Sequence, residues 1–172
     1  MQRVISFIVS NQPGVLSRIS GLISRRGFNI ESLTVGVTSN PALSRITIVM
    51  YAEDAVIEQV VKQFDKLLDV KAIKEIPTED GIFREIALVK LSTDGVDKKK
   101  LMADIESRAG IVLDIGEKCL TFQISGTISF INESIVLFKN YSIVELARTG
   151  MVALEMSDTQ LYDSKAAAMQ KI

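Results

Sequence analysis

Between Arg3 and Val9 the apolar residues Ile5, Phe7 and Val9 alternate with Val4, Ser6 and Ile8, a period of two that predicts a strand. Asn11-Gln12-Pro13-Gly14 breaks the pattern, and from Gly14 the period lengthens: Val15, Leu16, Ile19, Leu22 and Ile23 form one helical stripe, while Ser17, Ser20, Ser24 and Arg25 lie outside it. Gly27 suits the left-handed residue that ends a helix. Phe28 to Val37 and Ser44 to Tyr51 predict two strands, paired as a hairpin about the turn cluster Thr38-Ser39-Asn40-Pro41. Val56, Ile57, Val60, Val61, Phe64, Leu67 and Leu68 give the clearest amphipathic helix, and Val70 to Ile76 returns to a strand.

The same order then begins again. After the polar stretch Pro77 to Gly81, Glu85–Leu91 reads as a strand and Asp97–Ala109 as a helix with Leu101, Met102 and Ile105 inward. Ile111–Ile115 and Leu120–Ser125 form a second strand pair, Ile131, Ile135 and Phe138 another helix, and Ile143–Ala147 a last strand. The chain is therefore an α+β protein of two consecutive ferredoxin-like βαββαβ domains, each an antiparallel sheet with two helices on one face. The expected boundaries are 1–78 and 84–156, with a linker at 79–83 and a polar tail at 157–172 whose Ala166–Met169 run suits a frayed helix. The sheet face away from the helices also carries apolar residues and needs a cover, from sheet packing or dimerisation.

Composition narrows the function. The 172 residues include no histidine and one cysteine, Cys119, so a Ser-His-Asp or Cys-His catalytic group, a His-ligated zinc, an internal disulfide and a thiolate metal cluster are all excluded. No phosphate-binding glycine motif or nucleophile elbow is present. Twenty basic against 21 acidic side chains give a net charge of −1, which provides no field for nucleic acid or a membrane surface. No apolar run exceeds Ile48–Ala52, and the first residues lack a secretion signal, so a cytoplasmic protein that does not enter a membrane is expected.

One place has the chemistry of a site. Where the first strand hands over to the first helix, the N–H groups of Gly14, Val15 and Leu16 point outward at the positive end of the helix dipole and form a socket for a carboxylate. Pro13 suits a first turn, Gly14 lets a ligand approach the backbone, and Asn11 can offer its amide. The competing reading is that Asn11 caps the helix and Pro13-Gly14 only turns the chain. The second strand lies at a sheet edge in this topology and can pair with its twin in another copy, which would bring Asn29 and Ile30 of one chain to the socket of the other. In the second repeat Thr93-Asp94-Gly95-Val96 replaces the Pro-Gly loop, and no equivalent socket is expected.

The runs Asn11–Arg18 and Arg26–Val35 resemble the regulatory small subunits of acetolactate synthase (acetohydroxyacid synthase). So do Leu43–Ile48, Glu58-Gln59, Lys62-Gln63, Lys66-Leu67, Asp69-Val70, Arg84-Glu85 and Ala147–Gly150, in that order. The resemblance spans residues 1–156 and is densest in the first half; Asp97–Lys100 and Glu106–Gly110 depart from the family's usual text. It implies an N-terminal ACT domain that binds valine or a related branched-chain amino acid, an ACT-like C-terminal domain, and a homodimer through ACT edge strands. It further implies a non-catalytic subunit that docks on a catalytic large subunit holding thiamine diphosphate, magnesium and FAD, activates it and confers feedback inhibition. The effector site so implied is Asn11, Gly14, Val15 and Leu16 of one chain with Asn29 and Ile30 of the other. Two rival readings are a free-standing amino-acid sensor controlling a transcription factor or another enzyme, and a small enzyme using carboxylates alone.

The remaining features read as structural. Arg25-Arg26 and Lys98–Lys100 lack interleaved aromatics and suit solvated helix faces. Cys119 suits a half-buried strand position, and Arg45 and Arg148, set within apolar strands, suit ion pairs with neighbouring strands.

Overall fold

The computed structural model describes residues 1–25, 27 and 29–161. It contains β1 (Gln2–Ser10), α1 (Val15–Arg25), β2 (Ile30–Val37), β3 (Leu43–Tyr51), α2 (Asp54–Phe64) and β4 (Val70–Glu75). The order repeats in β5 (Gly81–Ser92), α3 (Lys98–Ser107), β6 (Ile111–Ile115), β7 (Cys119–Gly126), α4 (Ile128–Phe138) and β8 (Ile143–Arg148), and a short β9 (Val152–Glu155) follows. The first sheet has the strand order β2-β3-β1-β4 and the second β6-β7-β5-β8, the same ferredoxin-like order twice, with β9 added to the second by pairing with β5 and with all the registered pairs antiparallel. This is the α+β duplication expected from the hydrophobic pattern.

Two compact units result, one of residues 1–82 with the segment from Met151, the other of residues 83–150. In the first, Ile5, Phe7 and Val9 of β1 and Ile46, Ile48 and Met50 of β3 share one sheet face and meet Val15, Ile19 and Ile23 of α1 and Ile57, Val60 and Phe64 of α2. Phe7 and Phe64 meet edge to face at 5.4 Å, the geometry that ring quadrupoles favour. The second core repeats the plan with Ala87, Val89 and Leu91 of β5, Phe122 and Ile124 of β7, Leu101 and Ile105 of α3, and Ile131 and Phe138 of α4.

The boundaries differ from the pattern where local chemistry intervenes. α2 stops at Phe64: Asp65 N–H makes the last i→i−4 bond, to Val61 C=O, and Lys66 and Leu67 N–H then turn back to Gln63 and Phe64 C=O at 3.4 and 3.0 Å. Leu67 still packs on the core, but Leu68, counted in the apolar stripe, is exposed. β5 starts at Gly81, so the polar stretch before it holds only a turn, closed by Asp80 N–H on Pro77 C=O. The Ala166–Met169 run lies outside the described residues.

The two strand arginines behave differently. Arg148 grips Glu85 of the adjacent strand through two bonds of 2.7 Å and reaches Asn132 at 3.0 Å; Glu85 is 3% exposed, so this is the expected ion pair between strands. Arg45 instead donates from Nε to Ser6 Oγ at 3.1 Å, and burial holds its pKa below the ordinary arginine value. Cys119 is half-buried.

Truncating Phe7 to alanine removes the ring at the centre of the first core and is expected to cost about 3–5 kcal/mol of unfolding free energy, read from the urea midpoint. A loss below about 1 kcal/mol would mean that this core is not packed as described.

Candidate functional site

Each repeat carries a loop from its first strand to its first helix, and the two loops start on the same frame. Ser10 N–H donates to Asp69 C=O at 2.8 Å and Asn11 N–H to Ala42 C=O at 2.8 Å; in the second repeat Ser92 N–H donates to Ser142 C=O at 2.9 Å and Thr93 N–H to Lys118 C=O at 2.8 Å. Beyond that point they diverge, and the divergence is chemical.

In the second repeat Asp97 caps α3. Its Oδ1 accepts from Lys99 N–H at 2.9 Å and Lys100 N–H at 3.2 Å, so the helix's first donors already hold a carboxylate. In the first repeat no side chain among the described residues takes that part. Asn11, the candidate cap, turns away: its Nδ2 donates to Pro41 C=O at 2.9 Å and ties the loop to the β2–β3 turn. Val15 N–H makes a long 3.4 Å bond to Gln12 C=O, and Arg18 N–H bonds to Gly14 C=O at 3.0 Å. The N–H groups of Gly14, Leu16 and Ser17 have no hydrogen-bond partner among the described residues. The open donors thus include Gly14 and Leu16 as expected, exchange Val15 for Ser17, and exclude the capping role for Asn11.

Gly14 adopts φ +84°, a left-handed conformation that glycine takes without strain, and a Cβ built there would meet nothing within 4 Å. The space over the loop is open to a ligand. Val15 is buried in the core and fixes the helix start, whereas Leu16 is 40% exposed and offers an apolar surface beside the donors. Arg18, one turn on, pairs with Asp69 at the start of β4 and locks α1 to the sheet end. That lock escaped the sequence reading, since the two residues are far apart in sequence and neither breaks a pattern.

Asn29 and Ile30 lie elsewhere. Ile30 pairs with Met50, and Met50 with Arg3 at the beginning of β1, whereas the loop follows Ser10, which pairs with Leu43. Seven residues of strand separate these levels, about 24 Å at 3.4 Å per residue. One chain therefore cannot bring Asn29 and Ile30 to Gly14 and Leu16. β2 is an edge strand, however, and two β2 edges paired antiparallel set the Ile30 end of one beside the Val37 end of the other. Val37 pairs with Ser44, next to the Leu43 and Ser10 level that carries the loop.

Among the described residues no cluster of acidic, Cys or His side chains is placed to hold a metal ion, and no helix is long and apolar enough to span a membrane.

A ferredoxin-like βαββαβ unit whose first helix starts without a side-chain cap is the frame of a regulatory domain of the ACT class. Residues 5–74 match the family model described as the AHAS small subunit-like ACT domain, and residues 84–157 the one described as the small subunit of acetolactate synthase. The probable acetolactate synthase small subunit of Archaeoglobus fulgidus is 39% identical over 154 residues, 90% of this chain and 96% of that protein. The isozyme 3 small subunit of Escherichia coli is 38% identical over 159 residues, covering 92% and 98%. The crystal structure of the small subunit from Thermotoga maritima superposes with a TM-score of 0.86 at 35% identity, covering 92% of this chain and 99% of that one. The chain belongs to the acetolactate synthase small-subunit family. It is a regulatory, non-catalytic subunit, and its family implies a catalytic large subunit as partner.

Removal of the α3 cap by Asp97→Ala is expected to lower stability by about 1 kcal/mol, measured as a shift of the denaturant midpoint. No shift would mean that the N–H groups of Lys99 and Lys100 do not depend on that carboxylate.

Proposed function

We propose that this chain binds valine or a closely related branched-chain amino acid between two copies, and through it places the catalytic large subunit under feedback inhibition while activating it in the effector's absence. The observation that carries the reading is the contrast between the two loops. The same fold position is closed by Asp97 in one repeat and left with free donors in the other.

The chemistry of an amino acid suits what is free. Its carboxylate accepts from Leu16 and Ser17 N–H at the positive end of α1, and Gly14 leaves room for its approach. Asn11, whose amide nitrogen is held by Pro41, presents its carbonyl oxygen to the ammonium. Leu16 and Ile30 of the second copy supply apolar contact for a branched side chain, and Asn29 of that copy a polar one. Because the halves of the site sit on different chains, binding favours one arrangement of the dimer, and the catalytic partner responds to that arrangement by linkage. Thiamine diphosphate, magnesium and FAD belong to that partner, and the pair works in the cytoplasm.

Gly14→Asp puts beside the free donors a carboxylate comparable with that of Asp97, at a backbone strain of about 1–2 kcal/mol for the left-handed residue. It is expected to abolish the heat of valine binding and valine inhibition of the reconstituted enzyme; an unchanged inhibition curve contradicts the site. Val35→Lys places a charge on the β2 edge and is expected to shift the chain from dimer to monomer in sedimentation. A dimer as tight as that of the unaltered chain contradicts the shared edge.

A further inference from the structure

The face of the first sheet opposite its helices carries a buried polar layer. Strand register places Val4, Ser6 and Ile8 of β1, Arg45, Thr47 and Val49 of β3, and Ala72 and Lys74 of β4 on that side. Ser6 is fully buried and Thr47 nearly so, with their hydroxyls 3.4 Å apart. The chain covers this layer itself. Residues 151–161, which follow directly on the second unit, group with the first and meet its strands from one edge to the other. Met151 N–H donates to Ser32 Oγ of the edge strand β2 at 3.1 Å. Glu155 pairs with Lys74 of the opposite edge strand β4, and its charge also acts on Arg45 of β3. Leu161 is buried against Ile8, Ala72 and Leu43.

Glu155 marks this segment as more than a cover. Its side chain is 5% exposed and its Oε2 is buried with no hydrogen-bond partner. A carboxylate held this way is costly to bury, and Lys74 is the side chain that pairs with it, so small shifts of β4 change how well it is held.

We propose that residues 151–161 form a strap that carries the state of the β2 edge to the second unit, with Glu155 as its latch. Ser32 lies two residues after Ile30, so a movement of the β2 start reaches Met151 through one hydrogen bond. Thr149 and Gly150 join Met151 to Arg148 at the end of β8, and residues 152–155 of the strap form β9, which pairs with β5. The strap thereby gives the proposed effector seam a route to the second unit, and in that respect rests on the reading of the preceding subsection.

Glu155→Gln keeps the shape and removes the charge, and Ser32→Ala removes only the hydroxyl that holds Met151. Each variant is titrated with valine and assayed in the enzyme reconstituted with its catalytic subunit, and hydrogen exchange of residues 152–156 is followed. Valine heats are expected to stay within about twofold, exchange of the strap to quicken, and half-inhibition to need roughly tenfold more valine. Retained heats with an unchanged inhibition curve overturn the strap. Should the unaltered chain give no heat with valine, the effector reading fails by itself, and the strap is decided by activation. A several-fold loss of activation in both variants supports it, and full activation overturns it.

Discussion

A small set of backbone donors at the start of one helix has no partner among the described residues, and the proposed function depends on them. Helix starts expose N–H groups that folding satisfies with side chains or water, and the second repeat does this with Asp97. The first repeat has a residue suited to the same task, Asn11, and directs it to Pro41 instead. The resulting vacancy is held rigidly by the Asn11 anchor to the β2–β3 turn, by Val15 in the core and by Arg18 on Asp69. A positive, water-facing and preorganised cradle of this kind loses little entropy when a carboxylate enters it.

Duplication gives the two halves one frame with different chemistry at the same loop. Both repeats keep the strand order and the backbone bonds at the end of their first strands, so the frame predates the difference in chemistry. In the first unit the open face of the sheet is sealed by the chain's own later segment, which ties edge strand to edge strand through Ser32 and Lys74.

Much of this was legible in the sequence. The alternation in β1 and β3, the helical stripe through Val15, Ile19 and Ile23, and the repetition of six elements in one order specify the fold, because burial on one sheet face dictates those periods. The break at Asn11 to Gly14 was legible as the place where β1 hands over to α1, but the same residues suit a plain turn as well as a socket, and the pattern alone did not choose between them. What sequence left out depends on contacts distant along the chain. Whether Asn11 caps the helix or holds Pro41 is decided by the position of the hairpin turn, and Ser17 joins the open donors because α1 starts at Val15, which leaves the N–H groups of its first turn without intrahelical partners. β9 (Val152–Glu155) was missed, because the sequence reading ended the last strand at Ala147 and four residues are too short a run to show a period. Leu68 misled the helix boundary because its spacing matches the stripe while the turn at Asp65 takes it out of register.

The most direct test is a crystal structure of this chain grown with valine. The account predicts electron density for the amino acid between two copies, with its carboxylate on Leu16 and Ser17 of one chain and its side chain against Ile30 of the other. An empty seam at saturating valine, or copies that never meet along their second strands, would contradict it.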